Sequence, residues 1–274
     1  MKLLAIVITY YPETETARNN IVQYLPYVDK LIIWENTPIK DLDLYHLSFP
    51  TEYADKIIYK GTGKNEGIAY PLNEVIQYAK NNNYTHLLTM DQDSLWKNFS
   101  YYKSLIIKYK KDYLIFSPNI NKQIKSSKEL EYVDFSITSG TVYNIQLFSE
   151  IGLFKINYFI DSIDNEICYR AKRNKGYETI CFVDAILYQQ FGNLITKFGI
   201  SSSNYSAFRS YYIVRNHLWF WKEYKKNIKF KRKIFILEEF IIKRIIKIIL
   251  IEKKKKEKLL AIFRGIRDGL KKEE

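Results

Sequence analysis

The chain has 274 residues, 47% of them hydrophobic and 16% aromatic, with a formal net charge of +13. That length allows one large domain with an appendage, or two domains, and the apolar content is ample for a core. The two cysteines, Cys168 and Cys181, stand in no C-x-x-C arrangement. They imply neither a disulfide framework nor a zinc site and fit a reducing compartment, and no uncharged run approaches the ~18 residues of a membrane span.

Leu3–Thr9 is a continuous apolar, β-branched run, the pattern of a strand buried on both faces. It is too short for a signal peptide, and no small-residue cleavage site follows. Tyr10-Tyr11-Pro12 breaks it, and the spacing of Ala17, Ile21 and Leu25 predicts a helix over 13–27. Strands are predicted over 30–34 and 54–59, the first running out into Glu35-Asn36-Thr37-Pro38. Lys64-Asn65-Glu66-Gly67 is a turn into a helix that reaches Lys80 and stops at three asparagines. Leu87-Leu88-Thr89-Met90 is a strand ending in Asp91-Gln92-Asp93-Ser94. Further strands are predicted over 112–117, over 133–144 with a break at Ser139-Gly140, and over 178–187. A polar loop is predicted over 119–131 and a helix over 161–175, closed by Gly176. Residues 191–205, rich in Gly and Ser, read as a mobile loop, and the chain from Phe208 onward reads as helical. The alternation of strands and helices argues an α/β fold with a mostly parallel sheet and helices on both faces.

Polar groups collect at strand ends: Thr9-Tyr10, Glu35-Asn36, Asn65-Glu66-Gly67 and Asp91-Gln92-Asp93. If the first, second and fourth strands are parallel neighbours, these groups fall along one sheet edge, where such folds bind ligands. Alternation in a strand would point Asp91 and Asp93 the same way, and two carboxylates that close call for a cation or hydrogen-bond donors between them. The plainer reading is a polar turn that caps the next helix. No G-x-G-x-x-G follows the first strand and no G-x-x-x-x-G-K-[ST] occurs, which counts against a dinucleotide site and a P-loop.

The order T-Y-Y-P, I-I-W-E-N-T, N-E-G-I-A-x-x-L-N, M-D-Q-D-S, T-S-G and F-I-D-S-I-D-N-E-I-C-Y-R resembles family-2 glycosyltransferases of the GT-A fold, nearest to bacterial rhamnosyltransferases. The R-S-Y-Y-I-V-R-N run at 209–216 is similar to an element of that subgroup. The resemblance implies a nucleotide-diphospho-sugar transferase fold, with a mixed, mostly parallel central sheet, a catalytic domain over 1–221 and a helical extension over 222–274. It implies an inverting transfer of a sugar, rhamnose among the candidates, from a dTDP- or UDP-sugar to a glycan or lipid-linked acceptor of the cell envelope. Asp93 matches the direct ligand of Mn²⁺ or Mg²⁺, and Asp91 lies near the ribose or the metal. Thr9, Tyr10 and Glu35 match positions around the base and ribose, and Asn65 and Gly67 would frame the pocket. Asp164 matches the base that deprotonates the acceptor. Asp161, three residues back, would share its helical face and supply a neighbouring charge. Acids in a helix's first turn also favour the macrodipole without any catalysis. Arg209 and Arg215 suit the diphosphate, since guanidinium matches phosphate geometry. Where the family often has a metal-binding His, this chain has Gln189, whose amide oxygen is a weaker ligand. His217, beside Trp219 and Trp221, reads as a packed residue, and His46 and His86 carry no role.

Charge is unevenly placed. Residues 222–274 hold 19 Lys and Arg against 8 Asp and Glu, leaving 24 against 22 in the rest. An amphipathic basic tail suits the anionic inner face of a membrane, or equally a helix packed on the domain with a solvated lysine end. The expected location is cytoplasmic or peripheral at that face. Two rivals stand beside the transferase reading: a nucleotidyltransferase-type α/β enzyme, and a non-enzymatic protein binding nucleic acid or a membrane surface. The near-neutral body argues against nucleic acid. The enrichment in Lys, Ile, Asn and Tyr is what an AT-rich coding sequence gives, and carries little functional weight.

Overall fold

The computed structural model describes residues 1–226 and 230–271. Contacts divide the chain into two compact units, one of residues 1–157 and 163–189, the other of residues 158–162 and 190–274.

The first unit runs β1 (Leu3–Thr9), α1 (Thr14–Val22), β2 (Lys30–Glu35), α2 (Leu42–Tyr45), β3 (Ile57–Lys60), α3 (Ala69–Asn81), β4 (His86–Asp91), β5 (Ser94–Trp96), α4 (Phe99–Tyr109), β6 (Ile115–Ile120), β7 (Leu130–Val133), β8 (Val142–Asn144), α5 (Leu147–Ile151), α6 (Ile163–Lys175) and β9 (Thr179–Gln189). Among the described residues the strands form a nine-stranded mixed sheet, ordered β3-β2-β1-β4-β8-β6-β9-β5, with β7 also on β9. β3, β2, β1 and β4 are mutually parallel, as is the β6–β9 pair. β8 runs antiparallel to β4 and β6, and β5 and β7 antiparallel to β9. The mixed sheet expected from the resemblance is present, and its longest parallel run is the first four strands of the order.

Burial explains why these strands sit centrally. Every residue from Leu3 to Val7 is fully buried, as a parallel strand covered on both faces requires. Leu3, Ala5 and Val7 pack with Ala17 and Ile21 of α1 and with Phe99, Tyr102 and Ile106 of α4. α3 packs on β1 and β4 and buries Leu72, Val75, Ile76 and Ala79. Each buried Leu, Val or Ile side chain here contributes roughly 1.5–3 kcal/mol on burial, and alanine less.

Five elements of this unit were not assigned from the sequence, β5, α4, β7 and the short α2 and α5, and one strand is shorter than expected. Of 133–144 only Val133, the end of β7, and Val142–Asn144 are strand. The preceding turn is held by side chains: Ser136 Oγ lies 2.9 Å from Thr141 Oγ1, and Thr141 Oγ1 donates to Ile137 O at 2.6 Å. Gly140 is required there. Its φ is +80°, and an added Cβ would lie 2.7 Å from both Pro118 Cγ and Leu187 Cδ2.

The second unit holds β10 (Ile195–Lys197), β11 (Ile200–Ser202), α7 (Ala207–Glu223), α8 (Phe230–Leu237), α9 (Lys243–Leu250) and α10 (Lys255–Leu270), with a π-helical turn, Glu238–Ile242, between α8 and α9. The Gly/Ser-rich segment expected to be mobile is in fact an antiparallel hairpin. It is anchored where Ser202 Oγ donates to Glu252 Oε1 at 2.5 Å, and Glu252 pairs with Lys258 at 2.5 Å, both ions being nearly fully buried. α10 lies against α7 through Gly265 and Gly269, whose Cβ atoms would fall 2.7 Å from Tyr211 O and 2.8 Å from Leu218 Cβ. Val214, Leu218, Ile248 and Ile262 form the core there. Among the described residues no helix is long and apolar enough to cross a membrane.

Candidate functional site

Pairing register aligns the ends of three parallel strands in the first unit. Thr9 is opposite Glu35, and Ile8 is opposite Asp91. The C-terminal edge of β2, β1 and β4 thus carries Glu35, Thr9 and Asp91 side by side, as expected if these strands were neighbours. Thr9 is buried, its Oγ1 3.4 Å from Trp34 O, while Tyr10 is 46% exposed.

The Asp91-Gln92-Asp93 turn is built by its neighbours. Gln92 grips the end of β1 with both ends of its amide: Tyr10 N donates to Oε1 at 2.8 Å, and Nε2 donates to Tyr10 O at 3.2 Å. Asn20 Nδ2 donates to Gln92 O at 3.2 Å. Ser139 accepts from Asp91 N at 3.1 Å and donates to Ser94 Oγ at 2.7 Å. The strand stops at Asp91, so alternation does not extend to Asp93. Asp91 is half-buried at the strand end and Asp93 is exposed in the turn, and the two carboxylates are not equivalent.

Gln189, the last residue of β9, comes to Asp91. Its Nε2 donates to Asp91 Oδ2 at 2.7 Å, and its Oε1 is buried with no hydrogen-bond partner. Asn121 fixes the Gln189 backbone from both sides, Nδ2 to Gln189 O at 2.9 Å and Gln189 N to Oδ1 at 3.0 Å. A buried amide oxygen left over beside a carboxylate is costly and marks a place for a cation or donor. Among the described residues no group of three or more His, Cys, Asp or Glu could hold a metal. The donors at hand, Asp91, Asp93 and the Gln189 oxygen, are all hard oxygens and fit Mn²⁺ or Mg²⁺ that takes its remaining ligands from a diphosphate.

Beside this edge lies a cavity of about 570 Å³, lined by Trp34, Glu35, Tyr59, Gly61, Tyr70 and Glu74 among others. Glu35 Oε1 is 2.7 Å from His46 Nδ1, and the His46 ring lies 4.6 Å from that of Tyr59. Sequence reasoning gave His46 no part, since a contact eleven residues on leaves no local pattern. Asn65 Oδ1 accepts from Gly67 N at 2.9 Å in an Asx turn, and Gly67 sits at φ +72°. Buried Asn36 closes that turn, donating to Gly67 O at 2.6 Å and accepting from Glu66 N at 3.3 Å.

Asp164 lies in the first turn of α6, half-buried, its Oδ1 accepting from Asn165 N at 2.8 Å. The expected Asp161–Asp164 helical face does not form. α6 starts at Ile163, and Asp161 precedes it at φ +63°, belonging to the second unit. Asp161 instead binds Arg209, Oδ1 to Nη2 at 3.0 Å. Glu166, 1% exposed, is held by Arg170 through two bonds of 2.9 Å. Both acids therefore answer to arginines.

The two arginines expected at a diphosphate lie on α7 in the second unit. Arg209 is 39% exposed in its pair with Asp161 and stacks on Tyr205. Arg215 is 8% exposed. Its guanidinium donates to Asn216 Oδ1 at 2.8 Å and Tyr158 O at 3.3 Å and lies 4.0 Å from the Trp219 ring. With Asn216, which donates to Tyr158 O, Ile160 O and Asp161 O, Arg215 holds a loop in which Phe159, Asp161 and Ser162 all have positive φ. His217 is packed, as expected, stacked 3.5 Å from Phe240. His86 is buried, and desolvation, helped by the N-terminal charge and Lys110, lowers its pKa to about 4, so it is neutral at pH 7. Burial pushes the Cys181 thiol up to about 12 and the Cys168 thiol upward as well, which leaves neither reactive.

No family profile matches the chain. A dTDP-rhamnosyl transferase, RfbF of Shigella flexneri, is 24% identical over 239 residues, 78% of each chain. A mannosyltransferase of Pyrobaculum calidifontis, solved with GDP-Man and Mn²⁺, superposes with a TM-score of 0.61 at 12% identity over 97% of this chain and 73% of that one. TarS 1–349 of S. aureus, solved with UDP-GlcNAc, gives 0.54 at 13% identity over 98% and 81%. GalNAc-T7, solved with UDP, GalNAc and Mn²⁺, gives 0.55 at 12% identity over 80% of this chain, which spans about half (51%) of that chain.

Proposed function

We propose a reaction for a chain that has the GT-A glycosyltransferase fold and a rhamnosyltransferase-like sequence: transfer of a sugar, rhamnose first among candidates, from a nucleoside diphosphate to an acceptor hydroxyl, with inversion. The observation that carries this reading is the strand edge that aligns Thr9, Glu35 and Asp91 and meets Gln189, with its unsatisfied oxygen, across from Asp91.

In this reading the cavity beside Glu35 takes the nucleoside, with the Glu35 carboxylate accepting from a base N–H and His46 holding that carboxylate in place. Thr9 and Tyr10 border the ribose, and the Asn65–Gly67 turn closes the rim. Asp91, Asp93 and Gln189 Oε1 would hold the divalent cation, which when bound supplies positive charge to the departing diphosphate. Asp164 takes the proton of the acceptor hydroxyl as its oxygen bonds to the anomeric carbon. The carbon–oxygen bond to the diphosphate breaks on the opposite face, and the electron pair leaves with the diphosphate. The acceptor we assign is a glycan or lipid-linked glycan of the cell envelope, with the catalytic domain at 1–221 and the extension at 222–274.

A thermal-shift series with dTDP-, UDP- and GDP-sugars, with and without Mn²⁺, tests the donor assignment. Stabilisation by a dTDP- or UDP-sugar that deepens with Mn²⁺ is expected; stabilisation by no nucleoside diphosphate overturns the reading. Asp164→Asn should lower turnover about 10²–10⁴-fold while leaving that thermal shift in place.

A further inference from the structure

The last helices of the second unit leave an apolar surface open that the proposed reaction does not use. Ile245 and Ile248 of α9 pack toward Val214, Leu218 and Ile262. The other side of the same helical segment presents Ile242, Ile246 and Ile249, spaced i, i+4, i+7 and 53%, 47% and 49% exposed. α10 repeats the arrangement. It buries Ile262, Gly265 and Gly269 against α7, and it exposes Leu260, Phe263 and Leu270 at 47%, 60% and 60%. Arg264 and Arg267 are exposed among these three, and exposed Lys253 to Lys256 lead into the helix. From Lys253 to Lys271 the chain carries eight basic and two acidic residues.

We propose that this surface docks on an anionic lipid leaflet, with the helices lying in the interface and the apolar side chains entered shallowly. The chemistry selects this occupant. Leucine, isoleucine and phenylalanine half-exposed on a helical stripe gain by leaving water, and lysines and arginines beside them gain at a negatively charged headgroup layer. A nucleic-acid backbone would satisfy the cations and leave Leu260, Phe263 and Leu270 in water. A symmetric second copy would cover the apolar residues and bring two positive rims together. The buried Glu252–Lys258 pair fixes the turn that joins α9 to α10, so both exposed stripes belong to a folded scaffold.

The test is flotation of the full-length chain with phosphatidylcholine vesicles and with vesicles containing about one-third phosphatidylglycerol. Binding is expected to the second and not the first, and to fall when salt is raised. The double variant L260S/F263S, altered only at exposed positions, should lower the vesicle affinity at least about tenfold with an unchanged melting temperature. In F263W the added tryptophan should shift its emission to the blue on anionic vesicles. Equal binding to both vesicle types, no binding, or an unshifted F263W emission overturns the proposal. So does retention on duplex DNA that matches the vesicle affinity, or a dimer that L260S/F263S dissociates without changing flotation.

Discussion

Gln189 decides how the carboxylates of the site are balanced. A neutral amide donates 2.7 Å to Asp91 where a cation could otherwise sit, so the site tolerates a half-buried carboxylate without bound metal. Replacing it by Glu, nearly the same in shape, sets two carboxylates against each other. Gln189→Glu should cost roughly 1–3 kcal/mol in the presence of a chelator, a fall of about 2–12 °C in melting temperature. Mn²⁺ should restore that loss and raise melting above the metal-free wild type, because three carboxylates now share one hard cation. Melting curves with EDTA and with Mn²⁺ measure both effects, and a variant indifferent to Mn²⁺ would remove Gln189 from the cation's surroundings. At this scale the sequence reveals residue identity better than geometry. Asp91, Thr9 and Glu35 can be placed on one edge because strand ends are legible from apolar runs. The difference between Asp91 and Asp93 is hidden, because it depends on where β4 stops. Arg215 is ambiguous in the sequence for a related reason: a guanidinium suits a phosphate as well as it suits a carbonyl and aromatic rings, and its burial and these contacts are not legible from residue identity.

Among elements, the recurrent device is an amide side chain that binds another segment's backbone by both its ends. Gln92 does so at Tyr10, Asn36 at Glu66 and Gly67, Asn121 at Gln189 and Asn73 at Phe154. Each substitutes for a missing strand neighbour at a loop end, satisfying one N–H and one C=O. The asparagine enrichment that composition alone assigns to an AT-rich coding sequence therefore has structural uses, and no local pattern could reveal them because partners lie as far as 81 residues away for Asn73 and 88 for Asn98. The same non-locality hides β5, whose three residues are strand only through pairing with β9. Long apolar strands such as β1 and β2 need no such help. Asn36→Ala should cost about 2–4 kcal/mol, since it leaves the Gly67 carbonyl and Glu66 N–H unpartnered near the protein interior. Asn36→Asp should be no better, because a carboxylate accepts from Glu66 N and repels the Gly67 carbonyl. Chemical denaturation measures both. If Asn36→Asp keeps wild-type stability, the Gly67 contact is not what holds the turn.

Across the whole molecule, charge and packing divide the chain at different places. The basic excess begins at residue 222, whereas contacts separate the units at Gln190. The difference is α7. Its apolar face, Val214 and Leu218, is covered by α9 and α10, and the fit is close enough that Gly265 and Gly269 have no room for a Cβ. Tyr211 and Trp219 of α7 also reach Asp268, at 3.1 Å from its carboxylate and 3.2 Å from its carbonyl. A basic tail could be shed without harm if it were only a solvated appendage. These contacts argue that it is instead the other half of a helical core. A chain stopped after Trp221 should therefore expose Val214 and Leu218, lose the buried Glu252 partner of Ser202 and aggregate, the more readily because the remaining body has little net charge to keep copies apart. Size-exclusion chromatography of that truncated chain measures the outcome. A monomer that melts like the full chain would mean that α7 keeps its fold without α10. Aggregation relieved by supplying residues 230–274 in trans would show the two halves acting as one core.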